Sequence, residues 1–113
     1  EGVRFRAVEF TPSECKHPHQ LCAGVQVHVT DRETLRPFTM ALALIQQVRQ
    51  QAGNKFAWQA THFDRLAGSA KVRKQLENST PVADIALEWQ SNIQEFERRR
   101  QPYLLYPFRG GRL

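Results

Sequence analysis

Between Ser13 and Asp31 the chain gathers Cys15, His17, His19, Cys22, His28 and Asp31, residue types that can hold a metal, form a disulfide or move a proton. Zinc accepts cysteine and histidine, but structural zinc sites draw their ligands from two separated pairs. Cys15, His17, His19 and Cys22 instead crowd into one short loop, stiffened in the middle by Pro18, so closing all four around one ion is difficult. A Cys15–Cys22 disulfide is geometrically open, although a chain of 113 residues can build a core without such a staple. A third reading makes Cys22 a small apolar residue beside a strand and leaves His17 and His19 on a solvated loop. On this reading no metal and no cofactor is expected.

The elements around this stretch decide where its side chains can point. Ala23 to Thr30 alternates, with Val25, Val27 and Val29 on one face and Gln26, His28 and Thr30 on the other. Such a strand is expected to bury its valine face against a core and to turn its polar face to water, ligand or another domain. Val3 to Phe10 reads as a second strand, and Pro12 to Gln20 as the loop between them. Pro37 suits a first helical turn, Phe38, Ala41, Leu42, Ile45, Val48 and Ala52 follow at helical spacing, and Gly53 marks the stop. Lys55 to Trp58 reads as a short extended piece, and Phe63 to Gly68 as a turn. Ser69 is placed to cap a short helix carrying Val72 and Leu76. Thr80 as N-cap with Pro81 at the first helical position opens a last helix, whose stripe is Val82, Ile85, Ala86, Trp89, Ile93 and Phe96. Tyr103 to Tyr106 is expected to be a final strand and Pro107 to Leu113 a tail. The fold class is therefore α+β, a small sheet with helices packed on one face, in one domain over residues 1–113.

Composition narrows the function. The chain has 41% hydrophobic and 24% charged residues, ordinary for a folded domain. The formal charge of +5 allows an anionic partner. The only dense basic cluster is Arg98, Arg99 and Arg100, which suits the C-terminal end of a helix, so nucleic acid is not the expected partner. No apolar run reaches the roughly 20 residues that cross a bilayer, and the N-terminus lacks the apolar region of a signal peptide. The chain starts at Glu1, not at Met, and is expected to be a piece of a longer protein.

Several strings taken together resemble one family. They are Val3-Arg4-Phe5, Phe10-Thr11-Pro12, Lys16, and Leu21-Cys22-Ala23-Gly24-Val25-Gln26-Val27-His28-Val29-Thr30-Asp31-Arg32. Arg36-Pro37, Lys55-Phe56-Ala57-Trp58, Phe63-Asp64-Arg65-Leu66-Ala67-Gly68, Ile85, Trp89 and Tyr103-Leu104-Leu105-Tyr106 continue the match in order. With them the chain resembles the C-terminal domain of the YbbC/NamZ family of bacterial exo-β-N-acetylmuramidases. The departure lies in the loop before Cys22, where the family usually reads TFSKYxGELC; His19 stands in place of its glycine.

The resemblance implies a parent with a Rossmann-like N-terminal domain, a cleft between the two domains, and release of N-acetylmuramic acid from the non-reducing end of peptidoglycan fragments. It places the catalytic carboxylates in the N-terminal domain and none in this chain. It also implies a bacterial source and a periplasmic or secreted location before a cytoplasmic one. The expected partners are that N-terminal catalytic domain and peptidoglycan fragments. Lys16, Gln26, His28 and Asp31 fall at matching family positions and are expected to border the cleft. Two competing functions are a free-standing module for an anionic partner, cell-wall glycan or nucleic acid, and a purely structural or dimerisation domain.

Overall fold

The structure, a computed structural model, describes residues 1–14 and 16–106. Among these the fold is α+β, a two-stranded antiparallel sheet followed by four α-helices. The chain divides into two compact units, one spanning Glu1–Arg36 and one beginning at Pro37.

In the first unit β1 (Val3–Phe10) pairs with β2 (Cys22–Val29), from Val3 opposite Val29 to Phe10 opposite Cys22. Alternating β-branched and aromatic residues favour these extended segments. Gly2 fixes the open end of the ladder. Its carbonyl accepts hydrogen bonds from the amides of Thr30 (2.9 Å) and Asp31 (3.2 Å). Its backbone has φ +74°, and a Cβ there would stand 2.6 Å from the Asp31 carbonyl oxygen and 2.8 Å from the Leu35 amide. Only glycine meets both conditions without strain. At the other end the loop between the strands is tied by the His19 amide donating to the Pro12 carbonyl at 2.8 Å. His17 and His19 take φ of 57° and 58°, left-handed values that cost a residue with a Cβ. His19 thus holds a backbone conformation that a glycine would take without strain.

The valine face differs from its expectation. Val25, Val27 and Val29 are 55%, 37% and 51% exposed, and Phe5 on the same face is 50% exposed. Alternation sets which side chains share a face, but not whether that face is covered.

The second unit holds the core. Its helices are α1 (Pro37–Ala52), α2 (Ala60–Ala67), α3 (Lys71–Glu77) and α4 (Val82–Arg100). Leu42 from α1, Val72 and Leu76 from α3, and Ile85 from α4 are buried together. Ile45, Trp58, Phe63, Ala67, Val82 and Trp89 pack around them. Edge-on ring contacts join Phe38 to Trp89 (4.9 Å) and Phe56 to Trp58 (5.0 Å), and Trp58 tilts against Phe63 at 4.8 Å.

Five sequence expectations change in this unit. Phe63 to Gly68 is not a free-standing turn: residues 63–67 lie within α2, and Gly68, at φ +78°, closes it as a left-handed cap. The pair Phe63 and Ala67, one helical turn apart, explains this, since both rest on the core. Lys55 ends a 3-10 turn, Gly53–Lys55, so the expected extended piece does not include it. Pro81, with ψ 135°, is itself the N-cap of α4, and Val82 is the first helical residue. Tyr103 to Tyr106 forms no strand: α4 runs into a 3-10 turn, Gln101–Tyr103, and Tyr103, Leu105 and Tyr106 are exposed. A strand there would need a partner, and no third strand is present among the described residues. The expected tail, Pro107 to Leu113, lies outside the described residues. Val48 and Phe96, assigned to apolar stripes, are 54% and 60% exposed.

Two arginines tie the short helices together. Arg73 donates from Nε and Nη2 to the two carboxylate oxygens of Asp64, both at 2.8 Å, and from Nη1 to Glu77 at 2.9 Å. The side chains of Arg73 and Asp64 are only 16% and 22% exposed, so this is a shielded, forked pair. It joins α2 to α3. The hydrogen bonds from Arg73 hold the Asp64 carboxyl below the usual carboxylate range. Arg49 reaches from α1 to the C-terminus of α3, donating to the carbonyls of Leu76 (2.5 Å) and Glu77 (2.8 Å). Ser79, at φ 59°, completes that end: its amide donates to Leu76 and the Thr80 amide to Gln75, a Schellman closure built on a serine.

Three outcomes follow from this packing. Ile85→Ala should cost about 2 to 5 kcal/mol in a denaturant titration and Phe96→Ala less than about 1 kcal/mol, because only the first empties a fully enclosed site. His19→Gly and Ser79→Gly should each raise stability by about 0.5 to 1 kcal/mol by relieving the left-handed backbone; a loss at either position would refute the loop geometry. Asp64 has a lowered pKa when folded, so its contribution is complete above the unfolded carboxylate pKa near 3.9 and is lost as pH falls below it. Arg73→Ala should lower Tm more than Lys71→Ala, whose ion pair with Glu88 is exposed, and Asp64→Asn should weaken the acid sensitivity of Tm below the ordinary carboxylate range.

Candidate functional site

The register of the hairpin decides which side chains meet. Residues directly opposite one another share a face, so Arg4 sits beside His28 and Arg6 beside Gln26. All four are exposed. Val3, Phe5, Ala7, Val25, Val27 and Val29 occupy the opposite face. Gln26 and His28, singled out from the alternation of one strand, are therefore the middle of a polar lane that continues across both strands. Arg4 and Arg6 were missed because the first strand was read for its extended character alone. The signal was there, since the two arginines alternate with Val3, Phe5 and Ala7.

At one end of the same face lie Val8 and Phe10, opposite Gly24 and Cys22. The half-exposed ring of Phe10 lies over Gly24, where a Cβ would come within 3.2 Å of it. The Cys22 thiol points back along the chain to the Gln20 carbonyl at 3.5 Å. At the other end the chain turns at Asp31. The Asp31 Oδ1 accepts the amides of Glu33 (2.9 Å) and Thr34 (3.3 Å), and its carbonyl accepts the Leu35 amide at 3.3 Å. These backbone donors hold the carboxyl below its ordinary value, so it stays anionic while the turn is formed.

The four residues expected at the cleft are thus not one cluster. Gln26 and His28 are neighbours on the lane. Lys16 belongs to the loop before Cys22 and Asp31 to the turn after Val29. An eight-residue strand separates them, roughly 23 Å at about 3.3 Å per residue. Lys16 and Asp31 can border one extended ligand or surface, but they cannot share one small group.

Five carboxylates, those of Asp31, Asp64, Glu77, Glu88 and Glu95, have structural occupations. Asp64 and Glu77 serve Arg73, and Glu95 pairs with Arg98. Glu88 accepts from Lys71 at 2.6 Å and Gln75 at 2.9 Å, and those contacts lower its pKa. Asp31, Asp64 and Glu88 all move toward stronger acidity. A general acid for glycoside cleavage needs the reverse, a carboxyl held protonated near neutral pH. Among the described residues no three His, Cys, Asp or Glu side chains come together to hold a metal ion. Cys15, and with it the crowded zinc loop and the Cys15–Cys22 bridge, lies outside the described residues.

No described helix is long and apolar enough to cross a membrane. No solved structure matches the chain. Residues 1–106 match the family described as exo-beta-N-acetylmuramidase NamZ, C-terminal. The chain is also 38% identical over 106 residues to the peptidoglycan beta-N-acetylmuramidase NamZ of Bacillus subtilis (strain 168), an alignment that covers 93% of this chain and 26% of that protein. The chain thus spans about a quarter of the relative it matches. With the hairpin register, the Phe63–Gly68 helix end and the Trp58 packing all falling on matched positions, the chain belongs to the family of NamZ C-terminal domains.

Proposed function

We propose that this chain is the cleft-bordering C-terminal domain of a peptidoglycan-degrading exo-β-N-acetylmuramidase, and that it lacks the catalytic carboxylate pair. The observation that carries the reading is the match to a peptidoglycan β-N-acetylmuramidase along 106 residues that make up only 26% of that enzyme. The remainder of such an enzyme has ample length for a separate catalytic domain.

The side chains of the chain support the division of labour. Glycoside hydrolysis needs two carboxyl groups about 5 to 9.5 Å apart, one of them protonated at working pH. Here the carboxylates with displaced titration are stabilised as anions by arginine, lysine or backbone amides. They hold helices and a turn in place. The exposed groups of the hairpin are instead suited to binding. Gln26 offers an amide for sugar hydroxyls or acetamido groups, and His28 and Lys16 offer donors to a carboxylate. Residues 1–113 then act as one auxiliary domain whose partner is the N-terminal catalytic domain of the same parent. A cell-wall substrate favours a periplasmic or secreted parent over a cytoplasmic one.

The test uses the full-length protein that carries this domain and a chromogenic N-acetylmuramide. His28→Ala and Lys16→Ala should each lower kcat/KM by about tenfold or more, roughly 1.4 kcal/mol of transition-state binding, with Tm nearly intact. Residues 1–113 alone should give no turnover. Parental kinetics in both variants would make this edge structural, and turnover by residues 1–113 alone would return catalysis to this chain.

A further inference from the structure

The polar lane holds two cations with no structural occupation. Arg36, Arg49, Arg65, Arg73 and Arg98 all donate to a named protein group, and Arg100 lies over the Phe96 ring. Arg4 and Arg6 are exposed, stand two residues apart on one face of β1, and pair with no carboxylate among the described residues. Their side chains therefore project from the same face about 7 Å apart, with His28 and Gln26 directly across the ladder. Unpaired guanidinium groups side by side repel one another and are relieved by an anion, which they bind in forked, two-point geometry.

The same face also carries an aromatic platform. The ring of Phe10 lies over Gly24 with about half its surface exposed, four residues along β1 from Arg6, a separation of roughly 13 Å. That span exceeds one sugar ring. A flat apolar ring, then an amide, then two guanidinium groups fits a ligand that is apolar on one ring face and anionic on a substituent. A bare phosphate or a free metal would have no use for Phe10.

We propose that Arg4 and Arg6 are specificity residues that read a carboxylate carried by the glycan, with Phe10 stacking on a neighbouring ring. The proposal rests on the muramidase reading above and deepens it. It adds Arg4 and Arg6 of the first strand to the donors that His28 and Lys16 offer a carboxylate, and leaves the neutral part of the sugar to Gln26.

The experiment compares two chromogenic substrates of the full-length protein: an N-acetylmuramide with its free lactyl carboxylate, and the methyl ester of that carboxylate. The parental protein should favour the acid. In the double variant Arg4→Gln/Arg6→Gln the acid-to-ester ratio of kcat/KM should fall tenfold or more, with the loss mainly in KM for the acid. Arg4→Lys/Arg6→Lys should restore part of the ratio, because charge returns without the fork. Arg98→Gln, on the helical unit and paired there with Glu95, should leave the ratio at the parental value. A double variant that keeps the parental ratio overturns the inference while leaving the muramidase function standing. Should the parental protein cleave neither substrate, the muramidase reading fails, and calorimetric titration with N-acetylmuramic acid decides the lane alone. Binding weakened tenfold in the double variant supports it. Absent or unaltered binding, or binding of a DNA oligonucleotide in preference to the acid, overturns it.

Discussion

The pairing register of β1 and β2 is the constraint on which the candidate surface depends. Side chains of a strand alternate with a period of two, so a slip of one residue would send Arg4 and Arg6 to the valine face and leave His28 beside Phe5 or Val3. A two-stranded ladder is weak by itself and needs its ends fixed. Here one end is held by Gly2, whose carbonyl receives two amides and whose missing Cβ lets the chain pass within contact of the Asp31 turn. The Asp31 carboxylate then locks that turn by accepting the amides of Glu33 and Thr34. An aspartate that sequence reasoning placed at a cleft is thus also the reason the polar lane has its register.

The helical unit solves a different problem. Its helices α2 and α3 are too short to be stable by propensity, since isolated helices below about 12 to 15 residues are marginal in water. Three devices offset this. Leu76 and Val72 are enclosed with Leu42 and Ile85. Arg73 forks onto Asp64 and reaches Glu77, and Arg49 caps the last carbonyls of α3 from α1. Four residues of the Phe63–Gly68 string accordingly have structural duties: Phe63 and Ala67 on the core, Asp64 under Arg73, and Gly68 as the left-handed helix end.

Structural duty and binding capacity therefore separate along the chain. The acidic groups with clear partners are in the helices or in the Asp31 turn, where they are stabilised as anions. Arg4 and Arg6, without carboxylate partners among the described residues, are on the hairpin beside an amide, an imidazole and an exposed ring. This separation supports the proposed role, a domain that borders a cleft whose chemistry is performed elsewhere.

What the sequence determined by itself was local. Both strands, the first helix and the helix after Pro81 follow from periodicity and from proline and glycine placement, signals that act over a few residues. The separation of Gln26 and His28 from the valines was legible for the same reason. Contacts between distant segments were not. That Arg4 and Arg6 join His28 and Gln26 depends on a register fixed by Gly2 and the Asp31 turn, which no single strand encodes. That Phe63 to Ala67 is helical, although the string Phe63 to Gly68 reads as a turn, depends on a core built from three other segments and on an arginine nine residues away. The exposure of Val25, Val27, Val29 and Phe96 was hidden in the same way. Alternation states which residues share a face; whether anything covers that face is settled only by tertiary packing, because burial is a property of two surfaces and the sequence pattern describes one.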